Sequence, residues 1–358
     1  IQRSPKTPLL FTLNCSLHNS GAKITKKIKM AISKLKRQSA GEFGLLLSLI
    51  LVSILNVAAQ STNTDWPMWR GKNQDGKSVQ FGVFPSEQSY KLRIAWRKHL
   101  GSGYSSVSVA GGRAFTMFSD DKFDYLIALN AKTGQELWRY TINAVYRGHD
   151  NSHDGPIATP TVDNQSVFGL GRRGKLFALN VENGKKLWLR NLEKDFDARK
   201  PVHGFGTSPF VFGKMLLIQS GGSNGKSVAA LDKNTGSVIW TSENEHIMYE
   251  SASLFPLAGQ NQLVCVAEKK VFGLQPQSGT LLWKHIHNGG GGSTYQVVVD
   301  SDKLFLSSTS HESMLVHVQK RENEFKVKEL WRSRDIRQSH NLSVYHKGYI
   351  YGYNNQFL

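Results

Sequence analysis

Six tryptophans recur at nearly regular intervals, and this repeat constrains the fold more than any other feature of the chain. Intervals of 42, 50, 52, 43 and 48 residues separate Trp96, Trp138, Trp188, Trp240, Trp283 and Trp331. Repeats of this length are typical of propellers and solenoids, in which one structural unit packs against the next. The sequence therefore predicts a repeat architecture in which each unit ends in a tryptophan.

The residues before each tryptophan also repeat. The segments ALNAKTGQELW, ALNVENGKKLW, ALDKNTGSVIW and GLQPQSGTLLW end at Trp138, Trp188, Trp240 and Trp283. An Asn or Asp followed four residues later by Gly predicts a tight turn, because the side chain bonds the turn backbone and glycine accepts a positive φ. The fifth copy, which ends at Trp331, is longer and lacks the glycine.

Two further strands precede each of these hairpins. From the second to the fifth unit they are predicted at 157–162 and 166–170, 207–212 and 215–219, 253–257 and 263–268, and 294–299 and 303–308. Four short strands per repeat, with no helical periodicity, predict an all-β fold: a β-propeller of four-stranded antiparallel blades. A solenoid is the alternative, but its strands are usually parallel, whereas these hairpins require antiparallel pairs.

The motif resembles the pyrroloquinoline-quinone-like (PQQ-like) β-propeller repeat, in which the tryptophan docks one blade on the next. The segment DWPMWRGKNQDGKS (65–78) resembles the Trp-Pro-x-Trp-Arg-Gly opening of a secreted bacterial subfamily. The resemblance implies a ring of seven or eight blades, with Trp96 completing the last blade from its N-terminal side. About five blades are complete and a sixth begins at 341–344 and 348–353, so we expect the ring to be truncated here.

The N-terminal part predicts export. Residues 45–59 form an apolar run that follows several Lys and Arg residues, and Val57-Ala58-Ala59 supplies small residues for signal peptidase. The run is shorter than the ~20 residues of a membrane span, so we expect cleavage before Gln60, a periplasmic or secreted protein, and no stable span afterwards. An uncleaved anchor is the alternative. The expected boundaries are 1–29 for a non-native upstream extension, 30–59 for the signal peptide, 60–95 for an N-terminal entry segment and 96–358 for the propeller.

Polar and aromatic residues stand in the loops that lead into the blades. By repeat equivalence they lie on one face near the axis, where a propeller binds ligands, and they comprise Tyr104, His203, Tyr249, Glu250, Tyr295, His340 and Asn341. Loop solvation is the alternative for each residue alone. Arg172 and Arg173 are interpreted as a solvated pair, and Cys265 as a small buried core residue.

A second candidate site is the segment RGHDNSHDGP (147–156), which contains His149, Asp150, His153 and Asp154. Two histidines and a carboxylate, here His149, His153 and Asp154, suit a transition metal with open coordination positions. A polar loop whose Asp and His bond local backbone is the alternative.

Two functional classes follow from the resemblance. The first is a non-catalytic binding or scaffold module of the cell envelope with a protein or polysaccharide partner, a class that includes the lipoprotein of the outer-membrane β-barrel assembly machinery. No cysteine directly follows the apolar run to carry a lipid, so that role is not transferred. The second is a PQQ-dependent quinoprotein dehydrogenase, which adds calcium, a catalytic Asp and often a Cys pair.

No Cys pair and no acidic cluster suited to calcium stand out in the sequence, so we expect neither PQQ nor calcium and no catalytic residue. The formal charge is +18, but nine of the 45 Lys and Arg residues lie within residues 1–43. No block of the remaining chain is basic enough to predict nucleic-acid binding. The partner's identity and the oligomeric state do not follow from the sequence.

Overall fold

The structure is a computed structural model that describes residues 65–78, 80, 91, 93–148, 155–247, 249–287, 294–308, 312–335 and 342–354. Residues 65–78 and the described residues from 97 onward belong to one compact unit, whereas 80, 91 and 93–96 belong to a second. Residues 93–96 form no strand. The completion of a last blade at Trp96 therefore stays a prediction.

Five four-stranded antiparallel sheets follow one another along the chain, which confirms the predicted all-β propeller fold. The first three blades contain β1 (Ser108–Ala110), β2 (Arg113–Ser119), β3 (Phe123–Asn130), β4 (Glu136–Ala144); β5 (Thr161–Asp163), β6 (Ser166–Leu170), β7 (Lys175–Asn180), β8 (Lys186–Asn191); and β9 (Phe210–Phe212), β10 (Met215–Gln219), β11 (Val228–Asp232), β12 (Val238–Ser242). A single turn of helix, α1 (Leu192–Asp195), follows β8.

The fourth and fifth blades contain β13 (Ser253–Leu257), β14 (Gln260–Val266), β15 (Lys270–Leu274), β16 (Leu281–Ile286); and β17 (Thr294–Val299), β18 (Lys303–Ser308), β19 (Ser313–Arg321), β20 (Glu324–Ser333). A two-stranded sheet of β21 (Val344–His346) and β22 (Tyr349–Tyr351) begins a sixth blade. In the part of the chain that the structure describes, no helix has the length and hydropathy to cross a membrane.

The order of strands defines two faces of the propeller. First strands of consecutive blades lie side by side, as β1 does with β5 and β5 with β9, so they form the inner ring. The loops between blades and the turns between second and third strands lie at one end of these strands, which we call the loop face. The Asn-to-Gly turns between third and fourth strands lie at the opposite end, the hairpin face.

The repeated turn owes its residue types to local hydrogen bonds. The Asn180 side-chain oxygen accepts from the N–H groups of Glu182 (2.9 Å) and Asn183 (3.2 Å), and Asp232 does the same for the two residues at the equivalent positions. A short carboxylate or amide side chain satisfies the turn backbone in this way. The glycine that closes each turn has a positive φ, +68° at Gly184.

Tryptophans on the fourth strands pack against the next blade. The Trp138 indole N–H donates to the Val181 carbonyl at 3.0 Å, and the Trp188 indole N–H donates to the Lys233 carbonyl at 2.8 Å. Each ring also covers the turn glycine of the next blade so closely that a methyl group there would collide with the indole. Blades 1 to 3 consequently share one continuous hydrophobic cluster.

The same contact is less complete at the later blades. The Trp240 ring covers Gly279, but its indole N–H has no acceptor in the described structure. Trp283 donates to the Gln262 side-chain oxygen of its own blade at 2.5 Å, and the next blade lacks the turn glycine. Trp331 is 39% exposed.

Residues 65–78, the lead-in segment, run along the inner strands. Trp66 exchanges backbone hydrogen bonds with Val109 of β1 at 2.7 and 2.8 Å, and the Pro67 carbonyl accepts from Val162 of β5 at 2.8 Å. The buried Gln74 side-chain oxygen accepts from the Leu254 N–H of β13 at 2.7 Å. One peptide segment therefore ties inner strands of the first, second and fourth blades together.

Cys265 lies in β14 and is fully buried, as the sequence predicted. Burial raises the pKa of its thiol well above the ordinary value, because a thiolate would lose its solvation. The thiol therefore serves as a small apolar core group.

Candidate functional site

The structure places four of the predicted loop-face residues on that face. Tyr104 is 67% exposed in the loop before β1, His203 is exposed in the loop before β9, and Tyr249 and Glu250 lie in the loop before β13. Tyr295 contributes backbone to β17, and its side chain is outside the described part of the structure. The predicted residues His340 and Asn341 are also outside the described residues.

The predicted metal ligands His149, His153 and Asp154, and the adjacent Asp150, likewise lie outside the described residues. The metal site therefore stays a prediction. Among the residues that the structure does describe, no group of three or more His, Cys, Asp or Glu side chains could hold a metal ion.

The prediction that Arg172 and Arg173 form a solvated pair is wrong for Arg172, whose residue is only 1% exposed. Its Nε donates to the His203 carbonyl at 2.7 Å, and its Nη1 donates to the Gly155 carbonyl at 2.9 Å. The guanidinium carbon lies 4.8 Å from the ring centroid of Tyr146, a cation–π contact. Because a guanidinium has several donors in a fixed plane, this one side chain fixes two inter-blade loops together.

The next pair of loops is joined by Tyr249. Its hydroxyl accepts a hydrogen bond from the His203 N–H at 2.9 Å, and the two side-chain rings are 5.9 Å apart. Burial raises the pKa of Tyr249, which keeps the phenol protonated. The buried Glu250 carboxylate accepts from the Tyr249 N–H at 3.0 Å, and the Glu250 carbonyl accepts from the Gln219 side chain at 2.8 Å.

A row of hydroxyl groups continues these links around the inner ring. The Ser106 N–H donates to the Thr159 hydroxyl (3.3 Å), the Thr159 N–H to the Ser208 hydroxyl (2.9 Å), and the Ser208 N–H to the Ser251 hydroxyl (2.7 Å). Each hydroxyl residue stands two positions before the first strand of its blade. This recurrence is visible in the sequence, but our sequence analysis missed it.

Removing one member of this hydroxyl row is expected to destabilise the protein. Ser208→Ala leaves the buried Thr159 N–H without its acceptor, so we expect the free energy of unfolding to fall by about 1–3 kcal/mol. Chemical denaturation followed by circular dichroism measures the change. The control Ser166→Ala, at a half-buried strand position, is expected to stay within about 0.5 kcal/mol of the parent. Equal losses in both variants would contradict a structural role of the row.

A quinone–calcium site requires several carboxylate and amide oxygens that point to one position. The buried Asp124 of β3 instead accepts hydrogen bonds from Ser119 and, at 2.8 Å, from Asn143, both in its own blade. Burial raises the pKa of Asp124, and these two bonds oppose that increase. The Glu250 carboxylate accepts from the backbone N–H of the adjacent Tyr249. These two buried carboxylates therefore already accept hydrogen bonds from protein groups, an arrangement that does not fit calcium ligands.

Comparison with known proteins places the repeat in a family. The PQQ_2 family model, described as outer membrane protein assembly factor BamB, matches residues 57–199 and 149–357. The chain belongs to this family. Its PQQ-like repeats and β-propeller fold, expected from the tryptophan motif, are thereby confirmed.

Curated relatives fall into two groups. Quinoprotein alcohol dehydrogenase PedH of Pseudomonas putida is 23% identical over 168 residues, which cover 45% of this chain and 27% of that protein. Outer membrane protein assembly factor BamB of Shewanella oneidensis is 26% identical over 178 residues, which cover 47% of this chain and 40% of that protein. The matches thus span less than half of the length of either relative.

Among solved structures, quinohemoprotein alcohol dehydrogenase from Comamonas testosteroni has a TM-score of 0.52 with 13% sequence identity. The similarity covers 82% of this chain and 52% of that chain. At this identity the comparison supports the propeller fold alone, since one fold supports many functions.

Proposed function

We propose that the protein is a binding module of the bacterial cell envelope and that its loop face holds a protein partner. The observation that carries this proposal is a set of exposed side chains on loops that buried hydrogen bonds hold in place. Tyr104 is 67% exposed and Val202 is 55% exposed, while Arg172, Tyr249 and the hydroxyl row hold the surrounding loops.

A fixed surface of this kind suits recognition of a folded partner. Ordering of loops and side chains opposes association, so loops that are already ordered lose less entropy when they bind. Exposed tyrosines supply large contact areas and are common among the residues that dominate interface energies. The BamB relatives carry the name of an assembly factor, which agrees with a binding role for this family.

The alternative function is a PQQ-dependent dehydrogenase, which the PedH relative favours. We favour the binding module because the buried carboxylates of the described loop face already hold their own blade or loop. Asp124 accepts from Ser119 and Asn143, and Glu250 accepts from Tyr249.

Site-specific photocrosslinking in intact cells tests the proposal. With p-benzoylphenylalanine at Tyr104 or Val202, we expect a discrete adduct in which mass spectrometry finds peptides of a second protein. The same probe at Leu187 or Ile239, both 49% exposed on outer strands, is the control and should give none. Adducts of equal yield from outer strands would contradict a loop-face site, and an adduct that carries sugar but no peptide of a second protein would indicate a polysaccharide partner instead. Alcohol oxidation by the purified protein with calcium and PQQ would favour the dehydrogenase.

A further inference from the structure

A cavity of about 540 Å³ lies inside the inner ring, between the lead-in segment and the inner strands of the third to fifth blades. Asp300, in the turn after β17, also lines it, so the cavity reaches the hairpin face, and none of its lining residues is among the loop-face residues named above. It is therefore separate from the loop-face site proposed above. Its volume is within the range of small-molecule sites in proteins.

One side of the cavity is apolar. The inner strands β9, β13 and β17 supply this wall through Phe210, Leu254, Pro256, Val297 and Val298. Met68 of the lead-in segment adds a flexible thioether side chain. Such a wall favours an apolar ligand body over a purely polar one.

Cationic side chains line the cavity as well. Arg70 lines the cavity, and its Nε donates to the Gln74 carbonyl at 2.9 Å while its Nη2 donates to the Asp75 and Ser343 carbonyls at 3.1 and 3.0 Å. All three acceptors are neutral. Burial lowers the pKa of Arg70 to about 10, and the charge of Asp75 opposes this decrease only in part. Arg70 thus carries a partly desolvated positive charge.

The acidic residues at the cavity already have cation partners. The Asp75 carboxylate lies 3.2 Å from the Lys77 ammonium, and the Asp300 carboxylate lies 3.1 Å from the Lys303 ammonium and also accepts from Tyr345. Lys72 lines the cavity too and forms no ion pair with any residue that the structure describes. The positive charges of Arg70 and Lys72 therefore remain for a ligand.

The backbone beneath these cations is held in an uncommon conformation. Arg70 and Gln74 have left-handed φ values of +64° and +55°, and they are stabilised by the hydrogen bonds of Arg70 and by the bond from Leu254 to Gln74. Residues other than glycine that adopt a left-handed backbone conformation are concentrated at functional sites, including ligand-binding positions.

We propose that this cavity binds a small amphipathic anion, an apolar chain that ends in one carboxylate or phosphate group. The apolar chain contacts the wall formed by β9, β13 and β17. The anionic group binds Arg70 and Lys72.

Isothermal titration calorimetry of the full chain tests this proposal with four probes below their micelle concentrations. Decanoate and decyl phosphate carry the chain and the charge, decanol carries only the chain, and acetate carries only the charge. We expect 1:1 binding of one or both anionic probes, at least tenfold weaker binding of decanol, and no detectable binding of acetate. The tighter of decanoate and decyl phosphate identifies the preferred head group. Decanol that binds as tightly as either anion would overturn the proposal.

Two variants locate the site. Lys72→Glu reverses an exposed charge at the cavity and should weaken anion binding at least tenfold, while Lys186→Glu, an exposed lysine on β8, should leave it unchanged. Val298→Trp fills the cavity and should abolish binding of the chain-bearing probes. Lys72→Glu is at the surface and is expected to fold, so undiminished binding in that variant would overturn the proposal whether or not Val298→Trp folds.

Discussion

Gly236→Ala is expected to lower the free energy of unfolding by about 3 kcal/mol. Gly236 has φ +73°, and a left-handed conformation is unfavourable by about 1–2 kcal/mol for alanine. In addition, an added Cβ would lie 2.8 Å from the Trp188 ring, so the indole that joins the second blade to the third must move. Overpacking of this kind adds about 1–3 kcal/mol. Urea denaturation followed by circular dichroism measures the loss.

The chain offers a matched control for this substitution in the same blade. Gly213 also has a positive φ, +61°, but an added Cβ there meets no atom within 4 Å. Gly213→Ala therefore isolates the backbone contribution, and we expect it to lower stability by about 1–2 kcal/mol. If the two variants lose the same stability, the contact between Trp188 and Gly236 does not stabilise the propeller.

Arg172→Met should reduce stability by a similar amount, about 3 kcal/mol. The substitution keeps an apolar side chain in the buried position but removes the donors to the His203 and Gly155 carbonyls and the cation beside Tyr146. Leaving buried acceptors unpaired disfavours the folded state by about 1–3 kcal/mol each. We also expect faster amide hydrogen exchange in the loops around Gly155 and His203, because their common partner is lost.

Arg173→Met is the control for this variant. Arg173 is exposed and, among the described residues, donates only to the Ala144 and Val145 carbonyls, at 3.3 and 3.2 Å. Its replacement should change stability by less than about 1 kcal/mol and leave exchange in both loops unchanged. Similar effects of Arg172→Met and Arg173→Met would show that burial of Arg172 does not stabilise the loop face.

The bounds of several strands could be predicted from the sequence because a local pattern of apolar and turn residues determines where these strands begin and end. The predicted strands at 166–170, 215–219, 294–299 and 303–308 coincide with β6, β10, β17 and β18. The first strands of the second and third blades begin later than predicted, at Thr161 and Phe210. The N–H groups of Thr159 and Ser208, just before these strands, donate to hydroxyl groups of the next blade instead of to a neighbouring strand of their own sheet. Such contacts between blades depend on tertiary packing, which a local sequence pattern does not reveal.

The candidate sites were less predictable because long-range contacts create them. Two adjacent arginines indicate solvent exposure, and only the assembled loops show that Arg172 is buried between Gly155 and His203. The cavity depends on contacts such as that between Arg70 and the Ser343 carbonyl, 273 residues apart. A motif identified residues 65–78 as a lead-in, but no local pattern indicated that they line the inner ring.

The uneven docking of the tryptophans has a consequence for cooperativity. Blades 1 to 3 are joined by two complete indole contacts and one apolar cluster, whereas the junctions at Trp240 and Trp283 lack the indole bond to the next blade in the described structure. In repeat proteins, the stability of each junction determines which units unfold together. We therefore expect the first three blades to unfold as one cooperative unit and the later blades to open at lower free energy.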